Sequence, residues 1–125
     1  MVESKRAVAL AMVDDKLACR EAWIASGFAV EFALKALIIK RQRLNGWPSK
    51  EARPDLYTHD LRGLFQAAQI DLKAAPMALR GSLRTVLDWN RGHEYTSGRM
   101  SRANARSMVT AAFDQHGVVG WLRSL

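Results

Sequence analysis

From Ala22 to Ile39 the chain carries only two charged residues, Glu31 and Lys35, among apolar ones that surround a helix on almost every side. A run of this length and all-round apolarity suits a buried helix rather than a strand. It is also long enough to raise the question of a bilayer, but two charges near its middle would be costly in lipid. The segment therefore predicts the central helix of a bundle, with no membrane span. That leaves two charges to be accommodated. At i, i+4 they share one face and can pair along the helix. Two readings are open, a narrow wet edge holding both or a polar cluster inside the bundle that receives residues from other helices. The scarcity of polar surface around them favours the cluster.

The rest of the chain must supply partners for that helix, and it has the right period throughout. No alternating run marks a strand. Helical spacing predicts a first helix over Ser4–Leu17, with Val8, Ala11 and Met12 inward, and the central helix over Arg20–Leu44. Trp23, Val30, Leu34, Leu37 and Ile38 lie on one side of the latter, with Phe28 and Phe32 on others. Asn45-Gly46 and Pro48 read as its stop. A loop, "NGWPSKEARPDLY", follows; its length suits a functional or mobile segment. A third helix is expected over Thr58–Ile70, with Leu61, Leu64, Phe65 and Ala68 inward. A fourth runs from Pro76 to Asn90 on Leu79, Leu83, Val86, Leu87 and Trp89. A fifth, capped by Ser101, runs on Ala105, Met108, Val109, Ala112 and Phe113. "GWLRSL" closes the chain. The expectation is an all-α, antiparallel up-and-down bundle of about five helices, a single domain over residues 1–125.

Charge and cysteine usage narrow the setting. Nineteen Lys and Arg face twelve Asp and Glu, a net charge of +7, which suits a polyanionic partner without locating its face. Cys19, the one cysteine, has no internal disulfide partner, and the N-terminus lacks the pattern of a signal peptide. Both lean towards the cytoplasm.

Three short segments could carry chemistry. Glu31 and Lys35 are the first. The second is "THDL": Thr58 suits an N-cap and Asp60 the positive end of the helix dipole, which leaves His59 unexplained. The third, "WNRGHEYTSGR", joins two helices and holds Arg91, His93, Glu94, Tyr95 and Arg99. It reads either as a solvated connector anchored by Trp89 and Tyr95 or as an anion-binding rim. Metal binding is not expected, because His59, His93 and His116 are far apart and no HxxxH or CxxC spacing occurs. Nucleotide-binding loops and nucleophile elbows are absent too. No cofactor is expected.

Arginines add a fourth feature. Arg80 and Arg84 share a face of the fourth helix, Arg102 and Arg106 a face of the fifth, and Arg91 and Arg99 lie between. If the two helices are antiparallel neighbours, the six form one positive strip beside Tyr95. Such a strip fits a phosphate backbone with a ring free to stack a base.

In order and spacing, "SGFAVEFALKALI" on a long helix, "THDL" opening the next, and "WNRGHEY" before a last segment with "GWL" resemble the HEPN family of small helical domains. The likeness covers residues 22–122, nearly the whole chain. It implies a homodimer with a functional groove at the subunit interface. It also implies a role among RNA-cleaving toxins, antiphage effectors, nucleotide binders or non-catalytic partners of nucleotidyltransferases. The family's ribonucleases carry an Arg followed four to six residues later by His near the final helix. Here Arg53 and His59 fit that spacing only in the long loop, and neither His93 nor His116 has such an Arg. Glu94 stands where relatives of this type carry Arg. The expectation is thus a module of a toxin–antitoxin or defence-type system that binds RNA or nucleotide without cutting it. Two alternatives stand beside it: a metal-independent endoribonuclease with His59, Arg91 and His93 as candidate catalytic residues, and a dimeric protein-interaction module. Glu31 and Lys35 match the family's charged helix positions, and they are expected to anchor a buried polar cluster with His59, Asp60 or Tyr95 from neighbouring helices.

Overall fold

The structure is a computed structural model and describes residues 2–12, 19–89 and 101–125. All regular elements in these residues are helical. In chain order they are α1 (Val2–Met12), α2 (Cys19–Arg41), α3 (Leu61–Ala67), α4 (Arg80–Leu87), α5 (Arg102–Phe113) and α6 (Val118–Ser124), with three short 3-10 turns at Pro54–Leu56, Leu72–Ala74 and Met77–Leu79.

The bundle is organised around α2. Helices α1, α3, α5 and α6 all pack on it, and α4 packs on α5. The main core joins Trp23, Val30, Leu34, Leu37 and Ile38 of α2 to Leu56, Leu61, Leu64, Phe65, Leu83, Val86, Trp89, Met108 and Leu122. By length and composition α2 could cross a bilayer, but 67% of its most apolar window is buried within the bundle. Its neighbours cover most of that apolar run.

One contact fixes how closely the chain after α4 approaches α2. Trp89 donates its indole N–H to the Trp23 carbonyl at 3.2 Å and stacks obliquely on the Trp23 ring at 5.4 Å. Its six-membered ring rests on Gly27. A Cβ at position 27 would lie 1.9 Å from that ring, so only glycine allows the approach.

Several boundaries differ from the sequence expectation. Helix α1 ends at Met12, and residues 13–17 of the expected helix lie outside the described residues. Val8 and Ala11 face outward and Ala9 is the buried residue, because α1 offers only a narrow side to α2. Helix α2 ends before Asn45-Gly46. Arg43 takes the left-handed conformation (φ 54°), and the Leu44 N–H reaches back to the Ile39 carbonyl at 3.0 Å, while Arg43 N–H bonds Lys40. This is a Schellman ending with a non-glycine residue at its crux. Helix α3 stops the same way at Gln69 (φ 58°) with Ile70 bonded to Phe65. It also starts later than expected. The Thr58 hydroxyl accepts from Asp60 N–H, a local turn, so Asp60 rather than Thr58 becomes the N-cap and accepts from Arg62 N–H. Pro76 opens the Met77–Leu79 3-10 turn, and the α-helix follows from Arg80. Ser101 caps α5 as expected, accepting from Asn104 N–H at 3.0 Å.

Candidate functional site: a buried carboxylate and its ring of partners

Glu31 sits on α2 between apolar neighbours and is 2% exposed. A carboxylate so placed must be paired and hydrogen-bonded. It has two partners, one per oxygen. Lys35, one turn on, donates from Nζ to Oε2 at 3.0 Å. His59, from the segment before α3, donates from Nδ1 to Oε1 at 2.7 Å. A carboxylate accepts and cannot donate, so the hydrogen of this bond sits on Nδ1. The Lys35 side chain remains 22% exposed and that of His59 46%. The carboxylate is therefore inside, and the two basic groups stand between it and the surface.

Aromatic rings wall the cluster. Phe28, one turn before Glu31, meets the His59 ring edge-on at 6.1 Å and stacks on Phe32 at 6.2 Å. Lys5 of α1 lies 5.5 Å over the Phe28 ring. On the other side, Lys35 Nζ lies 5.3 Å over the ring of Trp47, whose neighbour at 6.4 Å is Tyr57.

The loop between α2 and α3 holds these rings in place. Gln42 donates to the Ala67 carbonyl and accepts from Arg53 Nη1 at 2.7 Å. Arg53 also grips Asp55 with two bonds of 3.0 Å. Those hydrogen bonds, more than the neighbouring charge, hold the Asp55 carboxyl below the usual carboxylate range and push the Arg53 guanidinium up. Tyr57 donates its hydroxyl to the Pro48 carbonyl at 2.6 Å, and Leu56 is fully buried. The loop is thus bound to both helices it joins.

The structure brings together Glu31, Lys35 and His59, and leaves out Asp60. That carboxylate is occupied at the start of α3 and is exposed, so its place in the buried cluster is corrected. Trp47, Tyr57 and Phe28 were not singled out as site residues. Their signal in the sequence was two rings inside a proline-bounded loop and a third one helical turn from Glu31.

Four arginines of the expected strip are described, all of them exposed, on α4 and α5, which pack on each other. Arg80 and Arg84 are exposed, and Arg80 turns back to the Lys73 carbonyl at 3.4 Å. Of the four described arginines, Arg106 alone lines the cavity of about 350 Å³ between α4 and α5, with Ser82, Thr85, Ser107 and Thr110. The strip as a whole includes Arg91 and Arg99 and so lies partly outside the described residues. Spacing of i, i+4 aligns residues on their own helix, while the rotation of each helix about its axis decides whether two such faces meet. Arg91, His93, Tyr95 and Arg99 lie outside the described residues. No group of three metal-ligating side chains occurs among the described residues.

No family model matches the chain, and neither a curated protein nor a solved structure matches it.

Proposed function

We propose that this chain is a HEPN-like module, an antiparallel up-and-down bundle of a toxin–antitoxin or defence-type system, that binds RNA or a nucleotide through the rim around His59 without cleaving it. The observation that carries this reading is the Glu31 cluster. A buried carboxylate fixes an imidazole whose other nitrogen has no partner among the described residues, beside a lysine and an aromatic wall. The arrangement offers hydrogen-bond donors and rings side by side, the two things a nucleotide needs. Net charge of +7 supplies the long-range attraction. The sequence resemblance adds the remaining features of the proposal: a cytoplasmic homodimer, with a nucleotidyltransferase-type protein as cognate partner.

The test is retention of single-stranded RNA at low salt, weakening steeply as salt rises. Absence of retention at low salt would overturn the reading and put the protein-interaction module in its place.

A second reading, a metal-independent endoribonuclease, is favoured by one detail. A carboxylate on Nδ1, with no partner for Nε2 among the described residues, is how an imidazole is oriented as a general base. RNA cut in the presence of a chelator, with activity lost in His59→Ala, would establish that reading over the first.

A further inference from the structure

The contacts around Glu31 form a closed circuit. His59 holds Glu31, Glu31 holds Lys35, Lys35 lies over Trp47, Trp47 meets Tyr57, and Tyr57 is two residues before His59 in the chain. Two of its members reach the surface most fully, the His59 imidazole (46% exposed) and the Tyr57 ring (44% exposed). An exposed tyrosine on a loose loop would need no explanation. This one is fixed at both ends: its hydroxyl is bound to the Pro48 carbonyl and its backbone N–H to the Pro54 carbonyl, while Leu56 beside it is buried. Since the hydroxyl is already engaged, what Tyr57 offers a ligand is its ring.

The stretch of chain that carries these residues is basic, even though Lys35 is paired with Glu31 and Arg62 with Asp88. Residues 35–62 hold seven Lys and Arg against three acids. Two of those acids are engaged, Asp55 by Arg53 and Asp60 by the first turn of α3. A ring held in place two residues from an oriented imidazole, within a basic stretch, matches a nucleobase and its own phosphate.

We infer that Tyr57 is a base-stacking residue and that, with His59 on the phosphate, it forms a subsite for one nucleotide of a single strand. The inference rests on the RNA- or nucleotide-binding reading above and deepens it, because it requires the ligand to carry a base. Stacking on a ring tolerates any base, so the subsite selects unpaired nucleotides rather than a sequence.

The experiment compares two probes of equal length and charge on the whole chain at low salt: a single-stranded oligoadenylate of about eight nucleotides and the corresponding abasic ribose-phosphate oligomer. The expected result is roughly tenfold tighter binding of the oligoadenylate. Tyr57→Leu should abolish that preference and leave abasic binding unchanged. Tyr57→Phe, which keeps the ring and loses the bond to Pro48, should retain it. Equal binding of the two probes by the native chain would overturn the subsite and leave RNA binding standing. So would a Tyr57→Leu chain that folds and keeps the preference. Should Tyr57→Leu fail to fold, the native chain and Tyr57→Phe decide between the same outcomes. Failure of the native chain to bind either probe would overturn both the subsite and the broader reading.

Discussion

Residues 31–62 and residues 80–106 carry a similar excess of positive charge, seven cations against four acids in the first stretch and six against two in the second. In the first stretch the side chains converge. Arg53 holds Asp55 and Gln42, Lys35 holds Glu31 and covers Trp47, and His59 completes the carboxylate's shell. In the second, Arg80 and Arg84 point outward from α4, and Asp88 pairs with Arg62 of α3 at a loose 3.7 Å with both side chains well exposed. Similar charge thus accompanies unequal organisation. Organisation at the first stretch comes from one buried acid that obliges basic groups to assemble around it; no described residue plays that part at the second.

The comparison would be broken most severely at the joint between the two stretches. Trp89 seats the end of α4 on Gly27 of α2. Gly27→Ala places a methyl inside the indole and must expel it, losing the bond to the Trp23 carbonyl and the packing of a large buried ring. The expected loss is about 3 kcal/mol or more, read from denaturant unfolding. A Gly27→Ala chain within about half a kcal/mol of the native one would show that Trp89 is not seated as described.

Next in size is the cluster itself. Lys35 can turn to water when its partner is removed, and Glu31 cannot. Lys35→Met should therefore cost about 3 kcal/mol, because a buried carboxylate keeps one partner only, while Glu31→Gln should cost nearer 1 kcal/mol. Arg84→Ala, at the exposed second stretch, should stay within about half a kcal/mol. Equal losses for Lys35→Met and Arg84→Ala would remove the distinction between the two stretches.

Much of this was legible in the sequence, for physical reasons that can be named. An apolar run with two charges at i, i+4 has few ways to fold, and it became the central helix with its ion pair. Ser101 was readable because capping is local. The seat of Trp89 on Gly27 was not, since it joins residues far apart in the chain and depends on how α4 approaches α2. Helix ends at Arg43 and Gln69 escaped the glycine rule because the half-buried Leu44 and Ile70, packed against the core, offset the cost of a left-handed side chain. Thr58 and Asp60 are both good caps, and the choice turned on which oxygen the Thr58 turn left available. His59 could be suspected as a partner of Glu31, but Trp47 and Tyr57 entered only through the path of the loop.

Binding should sharpen the comparison further. His59→Ala removes the oriented imidazole and should weaken RNA retention roughly tenfold, a loss of one good charge-assisted contact. Arg80→Ala/Arg84→Ala should lower affinity less and mainly reduce the salt slope, as diffuse phosphate contacts do. The reverse ranking, in a filter-binding titration at two salt concentrations, would move the working surface to α4 and α5.

The smallest effect is expected at Asp55, where the sign can be worked out. Its carboxyl is held below the usual range by hydrogen bonds from Arg53. A carboxyl depressed in the folded chain contributes stability above its unfolded value, about pH 4, and loses it as pH falls through the lower folded value. Solvent screens this surface pair, so the contribution to global unfolding should be slight. The loop is where it should be seen. Below about pH 4 the grip on Arg53 weakens, Gln42 alone retains the guanidinium, and Trp47 emission should begin to change before the helices melt. Asp55→Asn should remove that early change and leave the later acid transition in place. Loop and helix signals that move together in the native chain, with Asp55→Asn making no difference, would mean the Arg53 clamp does not hold the loop, and that its rings are positioned by the core under Leu56 alone.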